Sequence, residues 1–158
     1  MDYLFETIVD FYETKMSWPM EHVENDTILS VKYQGKEAQW VFVAATHEDD
    51  IITLFARTPE PCPEHLLNVM SEFLEYANFG MTHGAWVMDR SDGEIRYRVG
   101  VVVGELAITD NYLQNLTLYT NLTMDRYLPG IRAILRDGKT AADAFSIVFP
   151  MGLAAAAS

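Results

Sequence analysis

Cysteine is nearly absent: Cys62 is the only one in the 158 residues. A single thiol excludes an intramolecular disulfide and leaves no Cys/His spacing that reads as a zinc site. Set between Pro61 and Pro63, it reads as an inert loop thiol, since a nucleophile needs a lowered pKa. Basic residues are scarce as well, with 11 Lys and Arg against 23 Asp and Glu and a net charge of −12. Binding to a phosphate backbone or to an anionic membrane draws its affinity from clustered Lys and Arg, so no nucleic acid and no membrane is expected as a partner. The deficit is uneven, because residues 1–80 hold 15 acids and 4 bases while residues 81–158 hold 8 and 7. No apolar run approaches the ~18 residues of a membrane span. The segment from Met1 to Asp10 carries acids where a signal peptide carries lysines, and a cytoplasmic location is the expectation. A P-loop, a dinucleotide fingerprint and a hydrolase elbow are all missing.

What the chain has in quantity is apolar material, 49% of residues, of which aromatics are 12% of the whole. That supports a folded core of ordinary domain size, expected as one domain over residues 1–149 with a loose tail at 150–158. From Asp2 to about Met16, Leu4, Phe5, Ile8, Phe11 and Tyr12 form a broad apolar stripe opposite Glu6, Asp10 and Glu13, the signature of an amphipathic helix. Trp18-Pro19 ends it, since a residue before proline is pushed out of the helical region. An acidic connector to Asp26 follows, and Thr27 to Tyr33 then alternates as a half-exposed strand near an edge.

The next strands, Ala38 to Ala45 and Ile51 to Arg57, are apolar on both faces, with Trp40 and Phe42 opposing Val41 and Val43. A helix from about Pro63 to Gly80 comes next, proline suiting its first turn. The segment Ser91-Asp92-Gly93-Glu94 between alternating hydrophobics predicts a hairpin over Gly84 to Gly104, because Asp and Gly tolerate the positive φ of a tight turn. Thr109 or Asp110 can cap a third helix, which Pro129 is expected to break or kink and Gly138 to end. Thr140 to Asp143 resembles a capping box for a short last helix. The sequons at Asn115 and Asn121 fall inside the third helical pattern and read as chance matches.

The predicted class is therefore α+β: an antiparallel five-stranded sheet with helices packed on one face, in the order α-β-β-β-α-β-β-α. Helices on one face account for only half the apolar side chains of the central strands. The other face needs a cover, from self-association, a partner segment or the tail.

This order is similar to the type III secretion chaperone fold, and the chain resembles the YbjN family more closely. The resemblance rests on Asn78 at a helix end, Gly84-Ala85-Trp86, Asp89, Asp92-Gly93, Tyr97-Arg98, then Asp125 to Ile131 and Gly138 to Ala144, together spanning roughly residues 60 to 145. The family is described as regulators of sensory transduction, which implies no reaction and no active site. Resemblance to secretion chaperones implies small acidic homodimers that hold extended segments of partners.

Chemistry is weakly represented. The run His47-Glu48-Asp49-Asp50 has ligand types, but four consecutive residues in a turn splay their side chains, so no metal is expected. His22, His65 and His83 are scattered, and no motif pairs them with a nucleophile. The reading is a non-enzymatic interaction module without a cofactor, a homodimer that binds a protein client or regulatory partner. Trp40, Phe42, Tyr76, Trp86 and Met88 are its candidate contacts, because large amphipathic and adaptable side chains dominate such surfaces. If a free strand edge does the binding, the partner segment adds as a β-strand. The alternative is a small-molecule sensor or enzyme with a pocket between helices and sheet, in which Arg96 and Arg98, on one strand face, anchor an anionic ligand.

Overall fold

The computed structural model describes residues 2–23 and 26–150. The predicted tail therefore lies almost wholly outside the described residues. Helix α1 (Tyr3–Val9) is capped by Asp2, whose carboxylate accepts from the Leu4 amide at 3.3 Å. It widens into a π-helical turn, Asp10–Lys15, that keeps Phe11 and Tyr12 buried. Strands β1 (Glu21–Val23), β2 (Ile28–Gln34), β3 (Gln39–His47) and β4 (Ile51–Arg57) form an antiparallel meander. Helix α2 (Leu67–Phe79) follows a 3₁₀ turn that begins after Pro63. The hairpin β5 (Ala85–Met88) and β6 (Ile95–Val102) returns to the sheet, with β6 paired to β4. Helices α3 (Asp110–Asp137) and α4 (Ala141–Val148) complete the chain.

The sheet has six strands, in the order β1-β2-β3-β4-β6-β5, rather than the five expected. The additional strand is β1, inside what reads as an acidic connector. Its three residues are all exposed, too short and too polar for alternation to show, and only the pairing of Glu21 with Ser30 and Val23 with Ile28 reveals it. It covers Ile28 to Ser30 of β2 and leaves the rest of that strand near the edge, as expected. A second difference concerns Pro129, which lies within an uninterrupted α3. Proline removes one helical hydrogen bond, but Met124, Leu128 and Ile131 on either side of it are buried, and with this packing the expected break does not occur. Gly130 lies so close to α2 and α4 that a Cβ there would meet Phe73 at 2.8 Å and Val148 at 2.9 Å.

Local signals otherwise decide the ends of elements. Thr109 caps α3 through the Tyr112 amide and Thr140 caps α4 through the Asp143 amide, each at 3.1 Å. Gly138 closes α3 in the left-handed conformation, φ 63°, which glycine adopts without Cβ strain.

The β5–β6 turn is knitted by side chains. Asp89 accepts from the Ser91 amide and hydroxyl, and Asp92 accepts from the Glu94 amide. Gly93 sits at φ +80°, and a Cβ there would fall 1.9 Å from the Cys62 carbonyl oxygen. The turn thus docks on the segment Pro61-Cys62-Pro63, with the Cys62 amide donating to the Gly93 carbonyl at 2.8 Å.

Candidate functional site

Strand register divides the sheet into two unlike faces. On one, Trp40, Phe42, Ala44, Ile52, Leu54, Tyr97 and Trp86 are buried beneath helices. The Phe42 ring meets Tyr12 and Trp18 with centroids 5.8 and 5.9 Å apart. Trp40 donates its indole N–H to the Asn121 carbonyl oxygen on α3 at 2.9 Å, and Trp86 packs on Tyr127 at 5.7 Å. Inside this layer Tyr12 bonds Thr117 at 2.7 Å, and the Thr117 hydroxyl serves the Leu113 carbonyl at 2.7 Å, whereas the buried Trp86 indole N–H has no hydrogen-bond partner among the described residues. Burial pushes the Tyr12 phenol far above its ordinary pKa, against the smaller opposing effect of Thr117. Asn121 is fully buried, which leaves its sequon no room for a glycan.

The other face carries Val41, Val43 and Ala45 on β3, Thr53, Phe55 and Arg57 on β4, and Arg96 and Arg98 on β6, by the pairings Val43↔Phe55 and Phe55↔Arg98. No helix of the described residues covers it. These side chains, with Val23, Ile28, Ser30 and His47, line a shallow groove of about 490 Å³. Its floor is made of small apolar side chains, with Val43 and Ala45 at 7% and 4% exposure. The larger Phe55 ring is roofed by the Arg96 guanidinium, 4.3 Å from its centroid, so a long cationic side chain shelters apolar surface while its head stays wet.

Arg57 and Arg96 are directly opposite, where like charges repel. Glu94 sits between them and accepts from Arg57 at 3.1 Å and from Arg96 at 2.7 Å. Burial works to raise the Glu94 pKa, but the two guanidiniums outweigh it and hold the carboxyl below its usual range. Arg98, two residues along the same face, is exposed and has no carboxylate partner among the described residues.

The expected contact residues fall on the wrong side for direct recognition. Trp40, Phe42 and Trp86 are 3%, 0% and 2% exposed and face the helices, so their size serves packing. Met88 is a partly buried neighbour of the same core. Tyr76 is half-buried on α2, packing on Phe145 and donating its hydroxyl to Glu72. Arg96 and Arg98 do share one face, as the alternation implies, but the groove they line is on the open sheet rather than between helices and sheet.

The strand edges differ. Asn78 acts as a side-chain rung on β5, donating to the Trp86 carbonyl at 2.9 Å and accepting from its amide at 2.7 Å, so this edge is partly closed to strand addition. The β1 edge is open but only three residues long. Leu118 and Leu122, one turn apart on α3, are 51% and 48% exposed, and Phe79 at the end of α2 is 79% exposed.

Cys62 is buried, and that burial pushes its thiol pKa up against the weaker pull of Arg90. His47 engages the Thr53 hydroxyl at 2.7 Å, leaving the acidic turn behind it. Among the described residues no three His, Cys, Asp or Glu side chains gather as a metal would require, and no helix is long and apolar enough to cross a membrane.

No family model matches the chain, and no curated protein is similar to it. Among solved structures, a chain of the ExsC–ExsE complex is similar in fold, with a TM-score of 0.51 at 12% identity over 80% of this chain and 96% of that one. At this identity the likeness speaks for fold alone.

Proposed function

We propose that this chain is a non-enzymatic, chaperone-like protein-binding module of one domain, a cytoplasmic homodimer that holds a client or regulatory partner. The observation that carries the reading is an open sheet face with an apolar floor and a cationic wall, on a fold shared with a chain solved as part of a two-protein complex. A sheet face of this kind marks an interaction surface more often than a catalytic one, since convergent acid, base and nucleophile are what chemistry needs. The YbjN resemblance belongs to the same proposal. Its quoted positions have structural work here, with Asn78 closing an edge, Gly84 and Gly93 adopting positive φ, and the Tyr97 hydroxyl donating to the His83 carbonyl at 2.6 Å.

Two measurements test it. Light scattering over a dilution series is expected to give twice 17.9 kDa; a monomer at every concentration removes the homodimer. A photo-crosslinking residue placed at Thr53 on the open face, or at Leu118 on α3, is expected to yield one discrete adduct in cells. Absence of an adduct from both positions overturns the binding role.

A further inference from the structure

We propose that the occupant of the open sheet face is an acidic amphipathic helix of a partner protein, its carboxylates on Arg57, Arg96 and Arg98 and its apolar side chains on Val43 and Phe55. This rests on the protein-binding reading above. Charge makes the first argument. In a chain of net charge −12, the strand register brings Lys32, Arg57, Arg96 and Arg98 to one face. The carboxylates there are Glu94, already shared between two arginines, and Glu21 at the β1 end; the acidic turn Glu48–Asp50 stands beyond the opposite end of the strands. Arginines gathered over an apolar floor, with too few carboxylates to neutralise them, favour an anionic partner that also offers apolar contact.

The backbone argument selects a helix. Along the central strands β3 and β4 the N–H and C=O groups are spent on ladders to both neighbours, so a segment lying on the face finds no main-chain partner there. Its own amides must then be satisfied internally, which a helix does and an extended strand does not. An apolar floor flanked by cations matches a helix with one apolar stripe and one acidic flank.

Charge also argues against a second copy. The sheet centre lies between β3 and β4, and Arg98 is the cross-strand neighbour of the central Phe55. A two-fold contact centred on this face sets the Arg96 and Arg98 of one copy near those of the other, and like charges brought together at an interface are costly.

The probe is a set of helical peptides selected from an unbiased display library against the full chain. Selected peptides are expected to carry Glu or Asp beside an i, i+3, i+4 apolar stripe and to shift the amide resonances of Val43, Phe55 and Arg98. Affinity is expected to fall roughly tenfold in Arg98→Glu, less in Arg98→Ala; the exposed position keeps both variants folded, which circular dichroism checks. Peptides that move Leu118 and Leu122 instead would sink this site and leave the protein-binding reading standing. Selection that yields no binder at any surface takes both down. A dimer that Arg98→Glu dissociates would hand the face to a second copy and overturn the proposal.

Discussion

Consecutive residues of β3 live in two different environments. Trp40, Phe42 and Ala44 point beneath α1 and α3, while Val41, Val43 and Ala45 point to a face that no described helix covers. Both sets are apolar, so hydropathy alone makes them equivalent. They differ in volume and in company: the covered face takes the tryptophans and the buried phenylalanines, which gain most from complete burial. The open face takes small side chains, with arginine stems over the one large ring. A strand that is apolar on both faces is therefore no proof of a missing layer, because short side chains and long cations meet much of the need for cover.

The largest effect separates the two faces directly. Phe42→Ala leaves a cavity beside Tyr12 and Trp18 and is expected to cost about 3–5 kcal/mol, whereas Phe55→Ala, half-buried under Arg96, is expected to cost about 1 kcal/mol. Urea unfolding at fixed protein concentration measures both. Equal losses would mean that the open face is packed in solution by something as complete as a helix layer.

Next comes the turn that positions the arginine strand. Gly93→Ala brings a Cβ against the Cys62 carbonyl at a positive φ, and a loss of about 3 kcal/mol is expected from strain and a displaced turn. Because β6 starts two residues later, this variant should also disturb Arg96 and Arg98 in an amide NMR spectrum. A spectrum changed only around Cys62 would show that the open face is organised independently of its turn.

These two experiments probe features of unequal legibility. The Ser91-Asp92-Gly93-Glu94 turn, the caps at Thr109 and Thr140 and the stop at Gly138 were readable because each depends on local dihedral preference. Alternation likewise showed that β3 and β4 are apolar on both sides. It could not show which side the helices occupy, for that is a tertiary choice, and so the largest aromatics, Trp40, Phe42 and Trp86, looked like contacts when they are core. Strand β1 was hidden because three exposed residues carry no period. Pro129 misled because propensity describes an isolated helix, whereas α3 is clamped by buried neighbours on both sides of that residue. Arg96 and Arg98 were visible as a pair, but Arg57 joins them only through the β4–β6 register.

A smaller effect tests how the covered face settles its polar groups. Asn121→Ala removes the acceptor of the buried Trp40 N–H and is expected to cost about 2 kcal/mol, the penalty for an orphaned buried donor. Asn121→Asp keeps an acceptor but buries a charge, and should be worse at neutral pH than at pH 4. A harmless Asn121→Ala would mean that water reaches this layer.

The smallest effect concerns the edge that both faces share. His22 on β1 donates to Glu13 at the end of the π-helical turn, 2.5 Å away. That hydrogen bond, which outweighs the opposing effect of burial, raises the His22 pKa, with Asp26 helping. A histidine whose folded pKa is raised stabilises the fold fully below its unfolded value of about 6.5, and the gain is lost as pH rises through the folded value. Both side chains are about one-third exposed, so screening keeps the contribution below about 1 kcal/mol. The urea midpoint of His22→Gln is accordingly expected to trail the parent chain at pH 5.5 and to converge with it by pH 8.5. Hydrogen exchange should follow the same course, with the Val23 amide less protected at the higher pH and Val43 unchanged. A difference that persists at pH 8.5 would show that the neutral His22 ring, which meets Phe5 edge-on at 5.9 Å, holds β1 rather than its charge.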